Sequence, residues 1–249
     1  MARSLSPLIA TARNVLECRG ECDIFTAAGR GRSYGGWSKV LGRSLCGILQ
    51  SEIWEALQSD DDHDRPTFAL ITDIGNDIMY EHPVERIVGW IGDCIARLRE
   101  HDARIVSTTL PMARILRVKP RQFTLLRNLL FPRCTLSFDD LLARGDKVMG
   151  SLEASAREYG IPLVEQPDAW YGLDPIHVRF RHYAQSWRAI LSHWRPDRAL
   201  ADIPLAQPSA LRWLRLTRAR PEEFRIFGLN FGRNQPAVTL PCGTRVWCY

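Results

Sequence analysis

The chain has no long hydrophobic run: none of its apolar stretches reaches the roughly 20 residues that cross a bilayer, so no membrane-spanning segment is expected. No secretory leader is expected either, because Thr11, Arg13 and Asn14 interrupt the apolar residues near Met1. The expectation is a cytoplasmic protein. The seven cysteines, at 18, 22, 46, 94, 134, 242 and 248, are scattered and odd in number, which argues against a disulfide framework and for a reducing compartment. Cys18 and Cys22 stand four apart with no Cys/His pair answering them at zinc-finger spacing, so no structural metal is expected. There is no internal repeat and no low-complexity segment.

What is present is ordinary globular composition. With 249 residues, 45% of them hydrophobic and 24% charged, the chain can build one sizeable α/β core but not two comfortable domains. The net charge of +5 would suit an acidic partner. No basic run interleaved with aromatics resembles a nucleic-acid recognition module, however, which argues against that partner.

Hydrophobic patterning predicts strands at Asp23–Ala28, Thr67–Ile74, Ala103–Leu110 and Ile161–Glu165. Between and after them, helical spacing is expected over Ile48–Leu57, over the Val84–Leu98 face (84, 87, 88, 91, 95, 98), around Phe123–Leu130, over Phe138–Tyr159 and over Val178–Trp194. An acidic loop, Asp60–Asp64, separates the first helix from the second strand. Strands alternating with helices imply a parallel sheet covered on both faces, with sites gathering at the carboxyl ends of its strands. Residues 1–194 then form the main domain. From Arg195 onward arginines outnumber acids, and 195–249 reads as a C-terminal extension, with a short β meander at Phe224–Tyr249.

Three loops at that edge carry complementary chemistry: Gly31-Arg32-Ser33, Gly75-Asn76-Asp77 and Asp174-Pro175-Ile176-His177. A serine hydroxyl attacks an acyl carbon only when a base takes its proton, and the base needs an acid to orient it. Ser33, His177 and Asp174 supply that set, and the Asn76 amide with nearby backbone N–H groups can hold the oxyanion.

These blocks, in this order, resemble the SGNH or GDSL-like hydrolases, named for Ser, Gly, Asn and His in successive blocks. Ser33 looks like the first, Gly47 in Leu45-Cys46-Gly47-Ile48 the second, Asn76 the third, and Asp174 with His177 the last. The resemblance covers roughly residues 20–194. It implies a three-layer α/β/α sandwich with a parallel, flavodoxin-like sheet, and a metal-free, cofactor-free esterase acting on an acylated substrate. Its catalytic residues would be Ser33, Asp174 and His177, with an oxyanion hole of Ser33, Gly47 and Asn76. Arg32 stands where the family usually has aspartate, and its charge would suit an anionic substrate. Two further readings use the same fold: an acyltransferase with the same triad, and a non-catalytic ligand-binding protein. In the blander reading, Ser33 is a helix cap and Gly75-Asn76-Asp77 a turn. Ser44 in a second Gly-Arg-Ser triplet and the Asp60–His63 pair are the rivals for serine and for acid and base.

Overall fold

A computed structural model describes residues 2–40, 42–59, 65–172 and 176–249. The acidic loop at 60–64 and Asp174 with Pro175 lie outside the described residues. In chain order, helix α1 (Ala2–Leu16) leads to strand β1 (Cys22–Thr26) and the antiparallel pair β2 (Ser38–Val40) and β3 (Arg43–Leu45). Helix α2 (Ile53–Gln58) precedes β4 (Phe68–Ile71), the single turn α3 (Asn76–Met79) and α4 (Val84–Glu100). Strand β5 (Arg104–Thr108) is followed by α5 (Met112–Ile115), α6 (Pro120–Leu130), α7 (Phe138–Tyr159) and β6 (Leu163–Val164). Helices α8 (Tyr183–Leu191) and α9 (Ala210–Leu216) lead into β7 (Glu223–Ile226), β8 (Leu229–Gly232), β9 (Val238–Thr239) and β10 (Thr244–Cys248).

These elements form two compact units, one of Ser33–Gly36 with Thr67–Arg179, the other of Met1–Arg32, Trp37–Pro66 and Phe180–Tyr249. The break expected at residue 194 is therefore not where the units divide; residues 195–249 share a unit with the N-terminal helix.

The first unit holds the parallel sheet, ordered β4-β5-β6. Central β5 is buried at every residue from Ile105 to Thr108, as in a strand covered on both faces. Helix α4 buries Ile87, Ile91, Cys94 and Ile95, the stripe its periodicity predicts, and packs against α7. A capping box starts α7: the Ser137 hydroxyl accepts from Asp140 N–H at 3.0 Å and the Asp140 carboxylate accepts from Ser137 N–H. Gly160, left-handed at φ 64°, ends it where a side chain would be strained.

The second unit differs from the expectation. Strand β1 does not join β4 and β5; it pairs in parallel with β10, from Cys22 opposite Thr244 to Thr26 opposite Cys248. The reason is side-chain chemistry that only the distant strand offers. The Asp23 carboxylate accepts from Arg245 at 2.6 and 2.5 Å, from the Trp247 indole at 3.0 Å and from Arg65 at 3.0 Å. Phe25 stacks on Trp247, with ring centroids 5.6 Å apart. The meander expected at Phe224–Tyr249 is split between sheets: β7 pairs with β3 and β8, while β9 pairs with β10. The mixed α/β class holds, with one three-stranded parallel sheet among several sheets.

Several tail arginines are occupied in building this unit. Arg198 donates to the Asn14 and Val15 carbonyls at 2.9 Å each, satisfying acceptors that the end of α1 leaves open. Arg212 donates to Ser6 Oγ at 3.0 Å, and Arg195 pairs with Asp197 at 2.7 Å.

Burial alone would raise the Asp23 carboxyl, but the hydrogen bonds from Arg245, Trp247 and Arg65 outweigh it and hold the group below the ordinary aspartate range. A carboxyl depressed by folding stabilises the native state above its ordinary pKa and loses that contribution as pH falls through the depressed value. Asp23→Asn should therefore cost about 2 kcal/mol at pH 7, with the gap to wild type shrinking in acid. Urea unfolding across a pH series checks this, and a gap that stayed constant with pH would refute it.

Candidate functional site

In the parallel-sheet unit, the carboxyl ends of β4 and β5 are tied by a Thr72–Thr108 hydroxyl contact of 2.9 Å. Beyond β4 the chain turns through Asp73, the left-handed residue at φ 61°, and Gly75 then leads into α3. The Asn76 amide donates to the Asp73 carbonyl at 3.2 Å, closing the turn. A Cβ on Gly75 would stand 3.2 Å from the Leu110 side chain, so little else fits there.

Asp77, buried at 0% exposure, is the centre of the site. One carboxylate oxygen accepts the Ser33 hydroxyl in a short hydrogen bond, and the other accepts Tyr34 N–H at 2.9 Å. Ser33 Oγ in turn accepts from Gly36 N–H at 2.7 Å and Gly35 N–H at 3.2 Å, and the Tyr34 phenol donates to the Thr72 carbonyl at 2.6 Å. The glycines make this clasp possible: a Cβ at 35 would fall 2.0 Å from the Trp90 indole, and one at 36 would fall 2.8 Å from His82 Nε2 and 3.2 Å from Ser33 Oγ.

Those last two distances place His82 beside the serine. The ring packs edge-on against Trp90, centroids 4.9 Å apart. Burial pushes the Asp77 carboxyl above its usual range, while the Ser33 hydroxyl, Tyr34 N–H and the His82 charge pull it back. No sequence motif marks His82. The signal was only its position, five residues past Asp77 at the end of a single helical turn.

His177 lies exposed in the loop after β6. A bridge between Tyr171 and Val178, with Arg179 N–H donating to the Trp170 carbonyl at 2.8 Å, closes the ends of this loop. The imidazole acts on Asp73, whose carboxyl is raised by the protein packed around it and drawn down again by His177, though its side chain still meets water. Tyr171, buried and also facing the Asp73 charge, has its phenol pushed up to about 12, chiefly by burial. Asp73, Tyr171 and His177 thus form a second group of polar side chains in this unit, beyond the ends of β4 and β6.

No family model matches the chain, nor does any curated protein or solved structure.

Ser33, Asn76, Asp77 and His177 belong to one unit; Gly47 belongs to the other, where it caps a 3₁₀ turn at Ile48–Gln50. Asp174, the expected acid, lies outside the described residues, as does the Asp60–His63 rival. Ser44 is a strand residue of β3, paired with Lys39 and Arg225. The hydrogen-bond partners of Ser33 Oγ among the described residues are Asp77 and two backbone amides, not a histidine. Arg32, whose charge was expected to suit an anionic substrate, is buried. It is 3% exposed, and its guanidinium donates to the Cys46 carbonyl at 3.1 Å and to the Tyr249 carbonyl. Trp170 and Tyr171, at the start of the loop that carries His177, are buried. Among the described residues no three His, Cys, Asp or Glu side chains are grouped to hold a metal.

Because folding raises the Asp77 carboxyl, its contribution to stability is full in acid and declines as pH rises through the raised value. Asp77→Asn keeps the shape but loses one acceptor, at a cost of about 1–3 kcal/mol. The gap between wild type and variant should narrow from acid to neutral pH in denaturant titrations. A gap that widened over that range would contradict the burial argument.

Proposed function

We propose that the chain is a serine hydrolase that cleaves an ester or acyl bond, with Ser33 as nucleophile, His177 as base and Asp174 as its orienting acid. The observation that carries this reading is the Ser33 hydroxyl, fixed by Gly35 N–H, Gly36 N–H and the Asp77 carboxylate in the unit that also holds Asn76 and His177. Support also comes from the parallel sheet: its carboxyl edge, where such sheets gather their sites, carries both Asp77 and His177.

In this mechanism Ser33 Oγ bonds to the acyl carbon while its proton passes to His177, and the carbonyl oxygen gains the negative charge. The Asn76 amide with the Ser33 N–H group would receive that charge. His177 then protonates the departing alcohol, leaving an acyl-serine that water opens by the same steps in reverse. An alcohol in place of that water would make the enzyme an acyltransferase. Asp77 positions Ser33 through its clasp.

A second reading rests on a specific observation: Ser33 is 0% exposed, and its hydroxyl already donates once and accepts twice. A hydroxyl so engaged is what a structural serine in a non-catalytic binding protein requires. Hydrolysis of a short-chain p-nitrophenyl ester and labelling by a fluorophosphonate separate the two. Catalysis predicts turnover that falls by roughly 10³-fold or more in Ser33→Ala and His177→Ala, with labelling lost in Ser33→Ala. Folded wild type inert to both reagents would favour the binding protein.

A further inference from the structure

The hairpin of β7 and β8 presents apolar side chains to solvent, though its Phe227 N–H donates to the Gly42 carbonyl at 2.8 Å and one edge of the Phe227 ring rests on Gly42. Its two turn residues, Phe227 at φ 48° and Gly228 at φ 88°, are both left-handed, the geometry that favours Asn-Gly. An aromatic residue there is conformationally costly, and Phe227 is 83% exposed. Cross-strand pairing of Ile226 with Leu229 and of Phe224 with Phe231 sets those four on one face, and Leu229 is 68% exposed. Strand β8 is the edge of its sheet and exposed along its length.

At the foot of the hairpin lies a cavity of about 670 Å³ lined by Arg218, Arg220, Gly232, Arg233, Asn234 and Ala237. Among the described residues none of these three arginines has an ion-pair partner. Arg43 of the same sheet is close enough to Arg220 for the two charges to repel, after burial, in setting its protonation. Glu222 and Glu223 are the acids of this stretch, with Glu52 and Glu55 close enough to act on Glu222, and Arg43, Arg225 and the three cavity arginines outnumber these four.

We propose that this hairpin docks on an anionic lipid bilayer, seating Ile226, Phe227 and Leu229 among the acyl chains while Arg218, Arg220 and Arg233 take lipid phosphates. Charge complementarity selects the occupant. A second copy would set the same arginine rim against itself. Single-stranded nucleic acid stacks successive bases on aromatic faces, whereas here Phe224 and Phe231 stack on each other at 5.6 Å, the Arg225 guanidinium covers Trp37 at 4.1 Å, and exposed Phe227 stands between the aliphatic Ile226 and Leu229. The inference concerns residues of the second unit alone and stands whether or not Ser33 is a nucleophile.

Sedimentation of the full chain with phosphatidylcholine vesicles, with and without phosphatidylglycerol, tests it. Binding is expected to the anionic vesicles only. Replacing Arg218, Arg220 and Arg233 together by Gln should weaken the partition about a hundredfold. Phe227→Asn should weaken it about tenfold with Tm held or raised, since asparagine suits the left-handed turn. The proposal is overturned if anionic vesicles do not bind or if Phe227→Asn leaves binding unchanged. It is equally overturned by single-stranded DNA displacing the protein from vesicles, or by a dimer in solution that Phe227→Asn dissolves.

Discussion

A single buried carboxylate organises the candidate site. Asp77 is shut off from water, and such a group is tolerated only when its oxygens are satisfied. The Ser33 hydroxyl and Tyr34 N–H satisfy them, so Ser33–Gly36 belongs with the parallel-sheet unit although Arg32 and Trp37 on either side belong to the other. The two glycines follow from the same constraint. Once the segment is drawn in, Trp90 and His82 leave no room for a Cβ at 35 or 36. Nucleophile candidate, histidine neighbour and glycine pair are thus consequences of one desolvated charge.

The second unit is governed by the same rule with other residues. Asp23 is neutralised by Arg245 and Arg65, and buried Arg32 is held by backbone oxygens of Cys46 and Tyr249. A guanidinium has five donors and stays charged, so it can join acceptors from separate segments at once. The arginine beside the proposed nucleophile thus ties two distant segments of its own unit together.

Local information made the parallel-sheet unit legible and long-range information hid the rest. The runs at Thr67–Ile74 and Ala103–Leu110 became β4 and β5, and Phe138–Tyr159 is α7 as its periodicity and Gly160 indicate, because apolar period and caps are written within a few residues of one another. The partner of β1 stands more than 200 positions away, and pairing is chosen there by Asp23 meeting Arg245 and Trp247, which no window on the sequence contains. The site divides in the same way. Ser33, Asn76 and His177 stand out by residue type and order, whereas the Ser33–Asp77 clasp and the approach of His82 depend on two segments more than 40 positions apart meeting in space. In the sequence Asp77 is legible only as a turn residue.

The arginines after residue 194 show why composition alone misjudges a basic segment. Read along the chain they form one uniform set; in the fold they separate by what they touch. Arg198 and Arg212 are anchored to α1 and Arg195 to Asp197, and charges so engaged cannot recruit an anion without undoing the fold. Arg218 and Arg233 line an open cavity instead, and so does Arg220, whose bonds to the Thr217 and Ala219 carbonyls stay within its own segment. Repulsion among cations without counter-charges is a cost that folding alone gives no reason to bear. Set at the foot of a hairpin whose apolar tip also lacks cover, those charges and that tip ask for the same thing, a surface that is anionic outside and apolar beneath.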